Sequence, residues 1–254
     1  MEALRKPFQG VKNIVRFNWH FYIIVIVVLL VICVSYFFVS DFFKTILIIS
    51  IAVILLPVIV SLGVSYYVYD ASGLYSLKWI NIEIKSDRIR ILNINAGFDE
   101  TSELLTRKFP HSEVNIVDFY DEKKHTEISI KRARKLYPNS SETISVATND
   151  LPFENSSIDL IFLIFSAHEI RNNHERMLFF KELNRVLKQD GFVIITEHIR
   201  DIHNFFAYNI GFFHFIPLKI WLQTFNDSNF TVAETLKVNP FVTTYYLTKH
   251  GTSS

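Results

Sequence analysis

Two uncharged apolar runs dominate the first third of the chain: residues 21–39, 19 long, and residues 45–68, 24 long. Each exceeds the roughly 18 residues at which an apolar helix can cross a bilayer. They predict spans over about 21–39 and 45–68, together an N-terminal membrane anchor over residues 1–69. A secretory signal has a shorter apolar core and no second span so soon afterwards, so both runs read as anchor. Pro57 and Gly63 lie in the second run, where such residues are ordinary for membrane helices. Beyond Arg88 the pattern changes to short apolar runs alternating with amphipathic stretches. Residues 89–95, 114–118, 143–148, 158–165 and 192–196 read as strands. Residues 100–109, 124–137 and 174–187 read as helices, the last closed by Gly191. Residues 230–234 and 241–248 read as an antiparallel pair at the sheet edge. The fold class expected is α/β: a Rossmann-like doubly wound sheet with an antiparallel C-terminal strand pair, preceded by a transmembrane α-helical hairpin. The soluble domain spans 89–254. The linker, 70–88, carries Tyr75 and Trp79 and is expected at the membrane interface or as a lid over a ligand pocket.

Composition fits this division. Half of the 254 residues are hydrophobic and 20% are charged, too apolar for a disordered chain. The net charge of +1 leaves no basic excess for nucleic acid. Arg5, Lys6, Lys12 and Arg16 precede the first span, whereas the connection between spans offers only Lys44 against Asp41. The positive-inside rule therefore places the N-terminus in the cytoplasm, and a hairpin returns the domain to that side. Cys33, inside the first span, is the only cysteine, which excludes a disulfide framework and a Cys-based zinc site.

In a doubly wound sheet, ligands bind beyond the carboxyl ends of the strands. Those ends carry Asn93 to Glu100, then Asp118 and Phe119, then Thr148, Asn149 and Asp150, then Ser166 to Arg171, then Glu197 to His203. An acid closing the second strand suits a ribose, because one carboxylate accepts hydrogen bonds from both hydroxyls.

The segments LPFENSSIDLIFL (151–163) and ELNRVLKQDGFVIITEH (182–198), taken with Asp118, resemble in order and spacing the class I S-adenosylmethionine-dependent methyltransferases of the type 11 group. The resemblance covers about 110 residues. It implies S-adenosyl-L-methionine as cofactor, with Asn95, Gly97 and Asp99 at the three glycine positions of the family's first loop, of which only Gly97 is glycine. Asn93 replaces that loop's acid, and Asp99 or Glu100 is left to pair with the cofactor's amino group. Asp118 and Phe119 fall at the ribose, Thr148, Asn149 or Asp150 on the adenine side, and Ser166 at the fourth strand end.

Methyl transfer requires an aligned acceptor and, for many acceptors, removal of its proton. His168 and His198 are the expected catalytic bases, with His203 and His214 close behind and Glu169 and Glu197 available to orient them. A metal site drawn from His168, Glu169, Glu197, His198 and His203 is the rival use. HEIRNNH sets His168 and His174 six apart rather than at a helical ligand spacing, so no metal is expected. Residues 204–225 hold eight aromatic rings, which suit core packing, an apolar acceptor or contact with the bilayer. The leading reading is a membrane-anchored methyltransferase acting on a lipophilic small molecule or lipid at the cytoplasmic face. The alternative is a non-catalytic membrane protein whose degenerate Rossmann-like domain serves as an interaction module.

Overall fold

The computed structural model describes residues 5–82 and 88–251. Part of the predicted linker, residues 83–87, therefore lies outside the described residues. Among the described residues, seven strands form one sheet: β1 (Arg90–Asn95), β2 (Glu113–Asp118), β3 (Ile144–Ser145), β4 (Ile158–Ile164), β5 (Leu187–His198), β6 (Phe230–Asn239) and β7 (Val242–Lys249). Their order is β3-β2-β1-β4-β5-β7-β6. The first five run parallel, and β7 inserts antiparallel between β5 and β6. The order in which strands are added reverses between β1 and β4, so their carboxyl ends open into a crevice at that point.

Alternate residues along each strand feed opposite faces. Leu92 and Ile94 of β1 join one core with Phe179, Phe180 and Leu183 of α6 (Asn173–Val186) and Trp221 and Phe225 of α8 (Leu218–Asp227). Ile91 joins the other, with Leu105 of α4 (Ser102–Lys108), Phe109, and Leu77 and Ile80 of the linker. Asn172 caps α6 by accepting from the amides of His174 and Glu175. That helix ends at Val186, one residue before the predicted end at 187, and Gly191 is not what closes it. Gly191 instead lies inside β5, where a Cβ would stand 2.6 Å from the carbonyl oxygen of Asp159 on β4. Helix α5 (Ile128–Leu136) starts later than expected, because residues 121–125 form a turn in which His125 Nδ1 accepts from the Asp121 amide.

Three helices precede the sheet: α1 (Gln9–Phe17), α2 (Trp19–Ser35) and α3 (Asp41–Tyr66). Helix α1 was not foreseen. Among the described residues, the one helix long and apolar enough to cross a membrane by itself is the run beginning with α3. The other candidate is α1 and α2 taken together, a pair bent by 72° at Asn18. The first predicted span is thus corrected: α2 stops at Ser35, short of residue 39, because Tyr36 to Phe38 turn the chain into α3, whereas residues 45–68 lie within the long apolar run. Helix α3 continues as a wider turn over Tyr67–Ala71 and a tight turn over Leu74–Ser76. Val68 and Leu74 bury against Val242 of β7, so the described part of the linker packs on the domain.

Candidate active site

Parallel pairing in register sets Asn95 beside Asp118 at the carboxyl edge. The chain leaves β4 through Phe165 with φ of 54°, and Ser166 then donates its hydroxyl to the Ile94 carbonyl at 2.8 Å. Asn95, Gly97, Asp118 and Ser166 therefore converge on one crevice. The Asp118 carboxylate is buried and accepts from the Tyr120 amide at 2.9 Å, from Asn139 Nδ2 at 2.7 Å and from the Arg134 guanidinium. Asn95 accepts from the Gly97 amide, while its own Nδ2 is buried without a partner among the described residues. Gly97 has φ of +90°, and a Cβ there would meet Arg134 Cδ at 2.9 Å. Only glycine takes that conformation without strain.

The remaining cofactor candidates are placed elsewhere. Asp99 accepts from the amides of Thr101 and Ser102 and so holds the turn that leads into α4. Glu100 accepts from Arg5 at 2.7 Å and from the Tyr75 hydroxyl at 2.8 Å. Phe119 is core, packed on Phe179 and His125. Thr148 donates to Glu175, and Asn149 and Asp150 are exposed.

The crevice suits a nucleoside. Two nitrogen donors, from Arg134 and Asn139, converge on Asp118, the number a ribose diol supplies, and the orphaned Asn95 amide lies at the neighbouring strand end. Arg134 is a third exposed and stacks over the Tyr120 ring, so it can leave without moving backbone. The donor and acceptor set fits the cofactor once Arg134 swings away.

Both histidines proposed as bases are engaged. His168 Nδ1 lies 2.7 Å from Glu197 and its Nε2 3.2 Å from Glu169. Burial alone would lower its pKa, but Glu197 and Glu169 raise it to about 10. Both its ring nitrogens face carboxylates, which departs from the expectation of a free base. Burial likewise opposes ionisation of Glu169, yet His168 and His214 hold its carboxyl well below the usual range. His198 behaves in the opposite way. Its ring stacks between Phe165 and Phe215, and burial lowers its pKa to about 4. The Phe241 carbonyl can only accept, so Nδ1 carries the hydrogen and Nε2 accepts from the Tyr69 hydroxyl at 2.8 Å. His203 is exposed.

His214 completes a cluster with His168 and Glu169 in which one ligand atom from each lies within 4.8 Å of the others. A search by spacing missed it, since its partners lie more than forty positions away in sequence. Arg134 was missed because it reaches Asp118 from the following helix, and α1 because it is a short amphipathic stretch beside a longer apolar run. Helix α1 lies over the crevice: Phe17 packs edge-on against Phe98 and Tyr137, and Asn13 accepts from the Tyr137 hydroxyl. A cavity of about 460 Å³ opens between Arg5, Tyr66, Tyr69, Asp70 and Tyr75, at the end of α3 rather than over Asp118.

Residues 92–195 match the model of the methyltransferase domain family. A demethylmenaquinone methyltransferase from Thermotoga maritima is 31% identical over 133 residues, 52% of this chain and 52% of its own. The chain thus spans about half the length of that curated relative. Among solved structures, a SAM-dependent methyltransferase from Aquifex aeolicus has a TM-score of 0.51 at 17% identity, over 75% of this chain and 97% of that one. A geranyl diphosphate C-methyltransferase from Streptomyces coelicolor, solved with S-adenosyl-L-homocysteine, has a TM-score of 0.50 at 12% identity, over 70% and 79%. The region from β1 to β5 thus matches the methyltransferase domain family in sequence and shares the fold of these two solved methyltransferases.

Proposed function

We propose that this chain is a membrane-anchored methyltransferase that draws S-adenosylmethionine from the cytosol and methylates a lipophilic acceptor, a quinone-like phenol or a lipid. The methyltransferase match coincides with the convergence of Asn95, Gly97, Asp118 and Ser166, and that coincidence carries the reading. When bound, the cofactor supplies a methyl group on a sulfonium centre. Asp118 would accept from the ribose hydroxyls in place of Arg134 and Asn139, and the orphaned Asn95 amide would donate to the ligand. Phe17 and Asn13 of α1 would exclude water from that side.

Attachment to the membrane is supported by α2 and α3, whose apolar side chains are exposed along nearly their whole length. Ile202, Phe205, Phe206, Ile210 and Phe213 extend exposed apolar surface onto the domain beside α3. Trp221 and Phe225 from the same aromatic stretch are core instead. The domain faces the cytoplasm in this reading, on the side given by the basic N-terminus. The name of the Thermotoga relative supports a quinone-type acceptor.

Calorimetric titration of the detergent-solubilised chain with S-adenosylmethionine and S-adenosylhomocysteine, with NAD as control, tests the reading. Micromolar binding of the first two alone supports it. The second reading, a non-catalytic interaction module, is favoured by the prior engagement of Asp118, Asp99 and Glu100. Absence of binding in folded protein, both wild type and Arg134→Ala, would decide for that module.

A further inference from the structure

We propose that His168, Glu169 and His214 form a site for a divalent transition-metal ion of the zinc, manganese or iron class, at the same strand edge as the crevice. His168 Nε2 lies 3.2 Å and His214 Nε2 3.5 Å from the same oxygen, Glu169 Oε1. Metal–ligand bonds of about 2.0–2.2 Å put neighbouring ligand atoms about 3.0–3.5 Å apart, so the three need little movement to enclose an ion. Two imidazoles and a carboxylate are the ligand set that such metals take with positions left open.

The outer partners match as well. Each ring turns its Nδ1 away from the cluster onto a carboxylate, His168 onto Glu197 at 2.7 Å and His214 onto Glu127 at 3.3 Å. A metal-ligating histidine is commonly fixed in this way, its second nitrogen donating to an acid. Glu169 supplies an independent sign. It is only 3% exposed, and its Oε2 has no hydrogen-bond partner among the described residues. A buried carboxylate oxygen with no partner is costly, and a dication held by both oxygens of Glu169 would satisfy it.

One side chain competes. The Arg171 guanidinium bonds the His214 carbonyl and approaches both ring nitrogens, with Nε2 at 2.8 Å. It is 38% exposed, lies 3.7 Å from Glu127, and can release the ring while keeping that acid. With the ion in place, an open position would accept an oxygen of a hydroxylated acceptor and favour its deprotonated form.

The test needs no turnover, so it stands apart from the methyl-transfer reading. Full-length protein in detergent is stripped with chelator and titrated with cobalt(II), followed by visible absorption and elemental analysis. One equivalent per chain with ligand-field bands is expected. Affinity should fall at least tenfold in His214→Ala and Glu169→Gln, by about 10–100-fold in Glu197→Gln, and should hold or rise in Arg171→Ala. Melting temperature and S-adenosylhomocysteine titration identify variants that fail to fold, and Glu169→Gln is close to isosteric. Folded wild-type protein that takes up no cobalt overturns the site. So does uptake unchanged in His214→Ala and Glu169→Gln, which is adventitious binding.

Discussion

Tyr69, just beyond the apolar helix, donates its hydroxyl to His198 at the end of the fifth strand, over 2.8 Å. The bond joins the end of α3 to the inside of the domain, and the ring it reaches is stacked between two phenylalanines. Tyr69→Phe keeps the packing but strips a buried imidazole nitrogen of its donor. Such a loss costs about 1–3 kcal/mol. The melting temperature in detergent should fall by several degrees, and an unchanged value would remove Tyr69 from the coupling between the apolar helix and the domain.

His198 also sets a pH dependence. Its native pKa is depressed to about 4 by burial, against about 6.5 for an unfolded histidine. Between those values the unfolded chain binds a proton that the native ring refuses, so stability declines as pH drops through this window and is fully present above it. Thermal unfolding from pH 7.5 to 4.5 should show the slope, and His198→Asn should flatten it.

Arg134 holds the carboxylate that a ribose would need. Arg134→Ala should tighten S-adenosylhomocysteine binding severalfold, because Asn139 and the Tyr120 amide still support Asp118. Asp118→Ala should weaken it by about 10–100-fold, the worth of charge-assisted hydrogen bonds. Weaker binding in Arg134→Ala would instead make that side chain part of the cofactor site.

Helix α1 is docked by a close backbone approach. A Cβ on Gly10 would lie 2.3 Å from Tyr69 Cβ, and the Gly10 and Val11 amides donate to Asp70 at 2.8 and 2.9 Å. Gly10→Ala should release α1 and raise amide exchange across Gln9–Phe17 while the sheet stays protected. Unaltered exchange would show that the contact is dispensable.

The sheet was legible because its signals are local: β1, β2 and β4 are apolar runs bounded by polar turns, and α6 begins at a capping Asn172. Asp118 was legible too, since a strand end and its acid are contiguous. What stayed hidden was assembled across sequence. His214 reaches Glu169 from a loop forty-five positions on, and Arg134 reaches Asp118 from the next helix. Asp99 was read as a cofactor partner, whereas its carboxylate takes the two amides that lead into α4. Gly191 misled because a glycine past an amphipathic run ordinarily ends a helix, whereas here a neighbouring carbonyl demands it.

Helix α1 comes before the apolar helices in sequence yet is fastened to the domain that follows them, through Gly10 and Val11 to Asp70, Arg5 to Glu100, and the Phe17 carbonyl to Arg132. Such bonds cannot form through a bilayer. They impose a parity on the chain: the number of crossings between Phe17 and Asp70 must be even. If α3 traverses the lipid, the segment before it has to undo that crossing. The docked helix thus sets the parity of any crossings independently of the charges flanking either apolar run.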